Sequence, residues 1–258
     1  MTESVEAATN EIARVAAWSL RALDMKFAVA DRGAPIVAWA EAVEGGALET
    51  LRTKTSHLGR SPDIWRQEIS PCYWKFDATG RSLLEIGPVA IDLLTLAARN
   101  GNVGRVDIVN AVDPVFLSGA MRIGAKRKIG VVALSSNDDL TLCGRQVKSI
   151  HAYPVADRLV FDENNLPQNG DIKDAIAEWR RQKALARDTS TISLFSYLPR
   201  NDSTSTSPSS PQNDAEAKFK VALAHGVQVK KYELDNLYQL EVITWAPTSE
   251  RSRGQALF

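Results

Sequence analysis

RVDIVNAV (105–112), KIGVVAL (128–134), LTLCGRQV (140–147), SIHAYPV (149–155) and RLVF (158–161) fill residues 104–161 with β-formers. Valine, isoleucine, leucine and aromatic residues recur there in runs too short for helices, which predicts a succession of strands. Asn137-Asp138-Asp139 supplies turn residues between two of them. These runs set the expectation of a sheet and decide how the flanking chain is read.

Toward the N-terminus, CYWKF (72–76) and SLLEI (82–86) flank Asp77-Ala-Thr-Gly80, which predicts a hairpin. Pro88 then suits a first helical position, where no amide is lost. Val89, Leu93, Leu96 and Ala97 make an apolar stripe, and Asn100-Gly101 stops it. Residues 26–55 admit two patterns. Pro35 could open a helix through Ala42, or 27–30, 36–42 and 48–53 could form a meander turning at Arg32-Gly33 and Gly45-Gly46. The meander is preferred. Residues 3–24 predict an amphipathic helix with Ile12, Ala16, Leu20 and Leu23 on one face.

Toward the C-terminus, 162–170 read as a polar loop and 171–187 as a helix with Ile172, Ile176 or Ala175, and Trp179 facing inward. Its cations Arg180, Arg181, Lys183 and Arg187 complement the C-terminal end of the helix dipole. NDSTSTSPSSPQNDA (201–215) holds no apolar residue before Ala215 and predicts a flexible loop. The 43 residues after it are too few for a self-sufficient core, and VQVKKYEL and LYQLEVITW resemble strands. The expected organisation is a main domain over 1–200, a loop over 201–215 and a segment over 216–258 that packs back. The fold class is α+β: a mainly antiparallel sheet from about 72–86, 104–161 and 227–246, packed with a few amphipathic helices.

The chain has 258 residues, with 31 basic and 31 acidic side chains, so no net field draws it toward a polyanion. Cys72 and Cys143 cannot build a disulfide framework or a four-thiolate zinc site. His57, His151 and His225 are far apart in sequence and none has metal-ligand spacing. No metal and no cofactor is expected. The acidic opening MTESVEAATNEIARV lacks a signal-peptide layout, and no run approaches a membrane span, which sets the expectation of a cytoplasmic protein without a membrane partner.

Sequence motifs for chemistry are weak. SGAMRIGAKRK (118–128) places Gly119 and Gly124 as a phosphate loop would, but Ala125 stands where the lysine is needed. Its Arg122, Lys126, Arg127 and Lys128 form a cationic patch in the one positive region of the chain, the expected nucleic-acid-binding residues. Asp214, Glu216 and Lys218 alternate as in a metal nuclease, although an acidic helix N-terminus explains them as well. Ser118 lacks a nucleophile elbow, and a Cys143–His151 pair would need a contact between strands. No catalytic residue is assigned. Trp65, Tyr73 and Trp74 in PDIWRQEISPCYW are the expected interface for a protein partner or a homo-oligomer. Two classes follow. One is a non-catalytic assembly or nucleic-acid-associated protein acting by self-association or docking; the other is a metal-dependent nuclease or phosphotransfer-type hydrolase.

Overall fold

The structure is a computed structural model, and it describes residues 3–53, 65–136, 140–155, 158–163, 166–167, 170–185, 191–199 and 214–245. Its strands are β1 (Ser4–Ala7), β2 (Trp65–Ser70), β3 (Tyr73–Asp77), β4 (Gly104–Val109), β5 (Gly130–Ser135), β6 (Leu140–Leu142), β7 (Arg145–Val147), β8 (Ser149–Val155), β9 (Arg158–Asp162), β10 (Thr191–Tyr197) and β11 (Val227–Lys230). The helices are α1 (Thr9–Ala22), α2 (Phe27–Val43), α3 (Ala47–Thr53), α4 (Leu83–Arg99), α5 (Leu117–Lys126), α6 (Gly170–Leu185), α7 (Ala215–His225) and α8 (Lys231–Trp245).

Seven strands form one sheet in the order β2-β3-β4-β10-β5-β8-β9. Only β3 and β4 run parallel, with α4 as their crossover; every other pair is antiparallel. The predicted α+β class holds. β5 is buried at all six positions because both faces of the sheet are covered. Val131 and Ala133 face the large core beneath α1, α2, α4 and α5, while Val132 and Leu134 face a smaller cluster with Ile172, Ile176 and Trp179 of α6. The inward face predicted for α6 is therefore the one observed.

Four local expectations fail. Residues 26–53 are helices, not a meander: α2 buries every residue from Ile36 to Glu41. A stretch of helix buried at every position loses its 3.6-residue periodicity, and the pattern then imitates a strand. Gly33 lets it cross α4 closely, since a Cβ there would lie 3.2 Å from Leu84.

Residues 82–86 are not the second arm of a hairpin. Ser82 caps α4, its side-chain oxygen accepting from the Leu84 amide, so Pro88 lies inside the helix instead of opening it. The true hairpin partner of β3 is β2, whose six residues are all exposed and so gave no apolar signal. In the tail, VQVK is β11, but the chain from Lys231 is α8, burying Glu233, Leu234, Leu237 and Glu241 at helical spacing. β11 pairs with β1, which also replaces the first turn of the helix expected over 3–24. The Asn137–Asp139 turn and residues 201–213 lie outside the described residues. Among the described residues no helix is long and apolar enough to cross a membrane.

Candidate functional site

The cationic string of the sequence is helix α5 and the turn that follows it. Gly119 and Gly124 are helical and serve packing. A Cβ at Gly119 would meet Ile36 at 2.8 Å, and one at Gly124 would meet Val131 at 2.7 Å. They let α5 lie against α2 and β5, which disposes of any backbone phosphate cradle. Lys128 ends the turn at φ +66° and is exposed.

Where α5 crosses α2, the two helices and Arg127 line a cleft of about 260 Å³. Pro35, Ile36, Trp39, Gly119 and Ile123 make its apolar wall, and Arg32, Arg122, Lys126 and Arg127 its charged one. Each arginine is held in place. Arg32 and Arg127 both grip Asp92 of α4, at 2.8 and 2.7 Å. Arg32 also donates to the Pro88 carbonyl at 2.8 Å. Arg122 binds both carboxylate oxygens of Glu216, at 2.9 and 3.0 Å, with its guanidinium 4.5 Å from the ring centres of Trp39 and Phe219. Trp39 is oriented in turn: its indole N–H donates to Ser118 Oγ at 3.1 Å, and Ser118 donates to Glu44 at 2.6 Å.

Charge decides what the cleft accepts. Four cations face two carboxylates, which leaves a surplus of two positive charges against an apolar wall. Coulomb attraction grows as water is excluded, so such a surface selects small anions. Lys126 makes no hydrogen bond or ion pair with any described residue. Partial burial lowers its pKa, Arg122 lowers it further, and Glu216 only partly offsets them.

Of the four expected nucleic-acid-binding residues, Arg122, Lys126 and Arg127 meet in this cleft, and Lys128 does not line it. The cleft also contains Arg32 and Trp39, and Asp92 stands behind it. Sequence reasoning missed all three, because no local pattern links positions so far apart. The nuclease triplet is taken apart. Asp214 caps α7 by accepting from the Glu216 and Ala217 amides, Glu216 is bound to Arg122, and Lys218 donates to the Cys143 carbonyl at 3.4 Å. Among the described residues no group of three metal-ligating side chains occurs.

Trp74 is buried in the core and offers no contact surface. Trp65 is exposed at the sheet edge, and Tyr73 is half-buried, donating to Asp107 at 2.9 Å. Burial and Asp107 push the Tyr73 phenol up to about 12. His151 is buried at 2.7 Å from the Tyr197 hydroxyl, while Cys143 sits in the β6–β7 turn at φ +55°. His57 lies outside the described residues.

No family model matches the chain, and no curated protein matches it in sequence. Solved structures do match in fold. Malate dehydrogenase from Pyrococcus horikoshii OT3 has a TM-score of 0.64 at 11% identity, over 95% of this chain and 97% of that one. Sulfolactate dehydrogenase from Methanocaldococcus jannaschii has a TM-score of 0.61 at 11% identity, covering 93% and 98%. Δ1-piperideine-2-carboxylate reductase from Pseudomonas syringae has a TM-score of 0.59 at 12% identity, covering 92% and 99%. The fold is shared with these dehydrogenases and this reductase along nearly the whole chain. That likeness corrects the expectation of a non-catalytic assembly or nucleic-acid-associated protein, while the separation of Asp214, Glu216 and Lys218 removes the nuclease triplet.

Proposed function

We propose that the chain is an oxidoreductase of the dehydrogenase or reductase kind, acting on a small carboxylate. The likeness in fold to three such enzymes supports the reaction class. Malate, sulfolactate and Δ1-piperideine-2-carboxylate, the compounds in their names, are all small carboxylate anions. The observation that carries the proposal is the cleft between α2 and α5, with its surplus of positive charge on an apolar wall. Arg122 and Arg127 are planar donors already fixed by Glu216 and Asp92, so little side-chain entropy remains to be lost when a carboxylate binds. Pro35, Ile36 and Trp39 exclude water on the other side and strengthen that contact.

A nicotinamide dinucleotide is the usual hydride carrier for this chemistry. The chain does not offer it the familiar seat. The turn after β3, where the parallel pair begins its crossover, holds one glycine and no Gly-x-Gly-x-x-Gly run. At about 260 Å³ the cleft admits a carboxylate or a single phosphate, not a whole dinucleotide. Its residues therefore bind and orient the anionic end of the substrate. We place the protein in the cytoplasm, an assignment with which its two free thiols accord.

The test is hydride transfer by the purified chain. Each of the three acids, and the oxo form of each hydroxy acid, is offered with nicotinamide carriers while the reduced carrier's absorbance is followed. Turnover on at least one acid is expected, and Arg127→Met should raise KM about 10- to 100-fold through loss of a charged hydrogen bond. No turnover and no binding of any of these acids would overturn the proposal.

A further inference from the structure

Lys126 stands apart from the other cations of the cleft. Arg32, Arg122 and Arg127 are each tied to a carboxylate, whereas Lys126 closes the last turn of α5 with no bond to any described residue. It shares the cleft with three guanidinium groups and an apolar wall. We propose that Lys126 is an imine-forming residue, whose amine condenses reversibly with a 2-oxo acid held by its carboxylate on the neighbouring arginines. This rests on the reading of the cleft as a carboxylate site, since oxidation of a 2-hydroxy acid yields a 2-oxo acid.

The step needs no oxidant. The Nζ lone pair adds to the carbonyl carbon, a proton passes from nitrogen to oxygen, and the carbinolamine loses water to leave a C=N bond. Addition of water reverses it. Only the neutral amine is nucleophilic. Lys126 is exposed as a residue, but partial desolvation of its amine at the cleft and the nearby Arg122 both favour that form. The consequence is a site that can hold its own oxo acid covalently, and so slow its release.

Lys128, two residues further on, is exposed as Lys126 is but does not line the cleft, which makes it the internal control. The purified chain is incubated with pyruvate and borohydride, which reduces the imine to a stable carboxyethyl amine, and the modified lysines are mapped by peptide mass. Lys126 should label about tenfold or more faster than Lys128, because a charged hydrogen bond from the cleft arginines to the carboxylate, about 1.5 kcal/mol or more, holds the oxo acid beside it. Acetone, which lacks the carboxylate, should lose that preference. Lys126→Arg should remove the rapid label while leaving the other lysines unchanged, and Arg127→Met should slow it.

Equal labelling of Lys126 and Lys128 by pyruvate would overturn the inference. So would equal selectivity with acetone, or a phosphorylated aldehyde labelling Lys126 in preference to pyruvate. Trapping requires no hydride carrier. Labelling without turnover would thus keep the imine site and reject the oxidoreductase, and turnover without labelling would do the reverse.

Discussion

The two faces of the central sheet handle polar groups in opposite ways. Beneath α6, the Trp179 indole donates to Ser193 at 2.6 Å and the Tyr197 hydroxyl meets His151 at 2.7 Å, all inside the apolar layer. Those groups bond to one another, and none of them carries an arginine or lysine charge into the pocket of about 210 Å³ that Tyr197 lines with Ile172 and Pro199. On the opposite side, Trp39 belongs to a comparable chain through Ser118 to Glu44, but its ring also carries Arg122 into an open cleft. A polar network closed on itself specifies packing; one that ends in charges at a cleft can meet a ligand.

Trp39→Ala is the severest way to break that contrast. Trp39 is only 1% exposed, and its removal should cost about 3–5 kcal/mol, seen as a lower urea midpoint. Any variant protein that remains folded should also lose carboxylate binding, because the seat of Arg122 goes with the ring. If binding survives, the cleft does not depend on that seat.

Gly130→Ala attacks the other face. A Cβ there would lie 2.3 Å from Tyr197, so the ring or strand β5 must shift, at about 1–3 kcal/mol in chemical denaturation. KM for the carboxylate should stay at the wild-type value; a rise would mean that the two faces are coupled. Tyr197→Phe should cost about 1 kcal/mol for the bond to His151, again without effect on KM.

The gentlest probe is pH. Burial raises the Glu44 carboxyl above its ordinary 4.5, outweighing its hydrogen bonds from Ser118 and Gly144. Its folded pKa lies above the unfolded one, so the native state holds the proton more tightly. Its contribution to stability is fully present below about pH 4.5 and declines as pH rises through the raised value. Glu44→Gln should make thermal stability less dependent on pH across that interval. Glu41, raised chiefly by burial as well, would keep part of the slope. An unchanged slope would show that Glu44 titrates normally and that the Trp39 network is less enclosed than the geometry shows.

How much was legible depended on whether an element met its neighbours on one side or on all sides. α6 packs one face on the sheet, and Ile172, Ile176 and Trp179 announced it. β5 showed as a plain apolar run for a strand covered twice. The second half of α2, buried at every position from Ile36 to Glu41, erased its own period, and β2, exposed throughout, had none to show. The cleft was half legible in the same sense. Arg122, Lys126 and Arg127 were visible as a cluster of charge, yet nothing in the string indicated that Asp92 and Glu216 would fix two of them. Nor did it indicate that Trp39 would stand opposite. Those contacts span 35, 94 and 79 residues for the Arg127–Asp92, Arg122–Glu216 and Trp39–Ser118 pairs.

By itself the sequence determined the α+β class, the strand-rich middle and the local surplus of charge around α5, because each follows from side chains a few residues apart. The tertiary structure decided that Gly119 and Gly124 serve packing and not phosphate. It paired some of that charge internally, left Lys126 without a carboxylate partner among the described residues, and opened a cleft beside it. Those outcomes depend on which distant element packs alongside, and on how much water that neighbour removes.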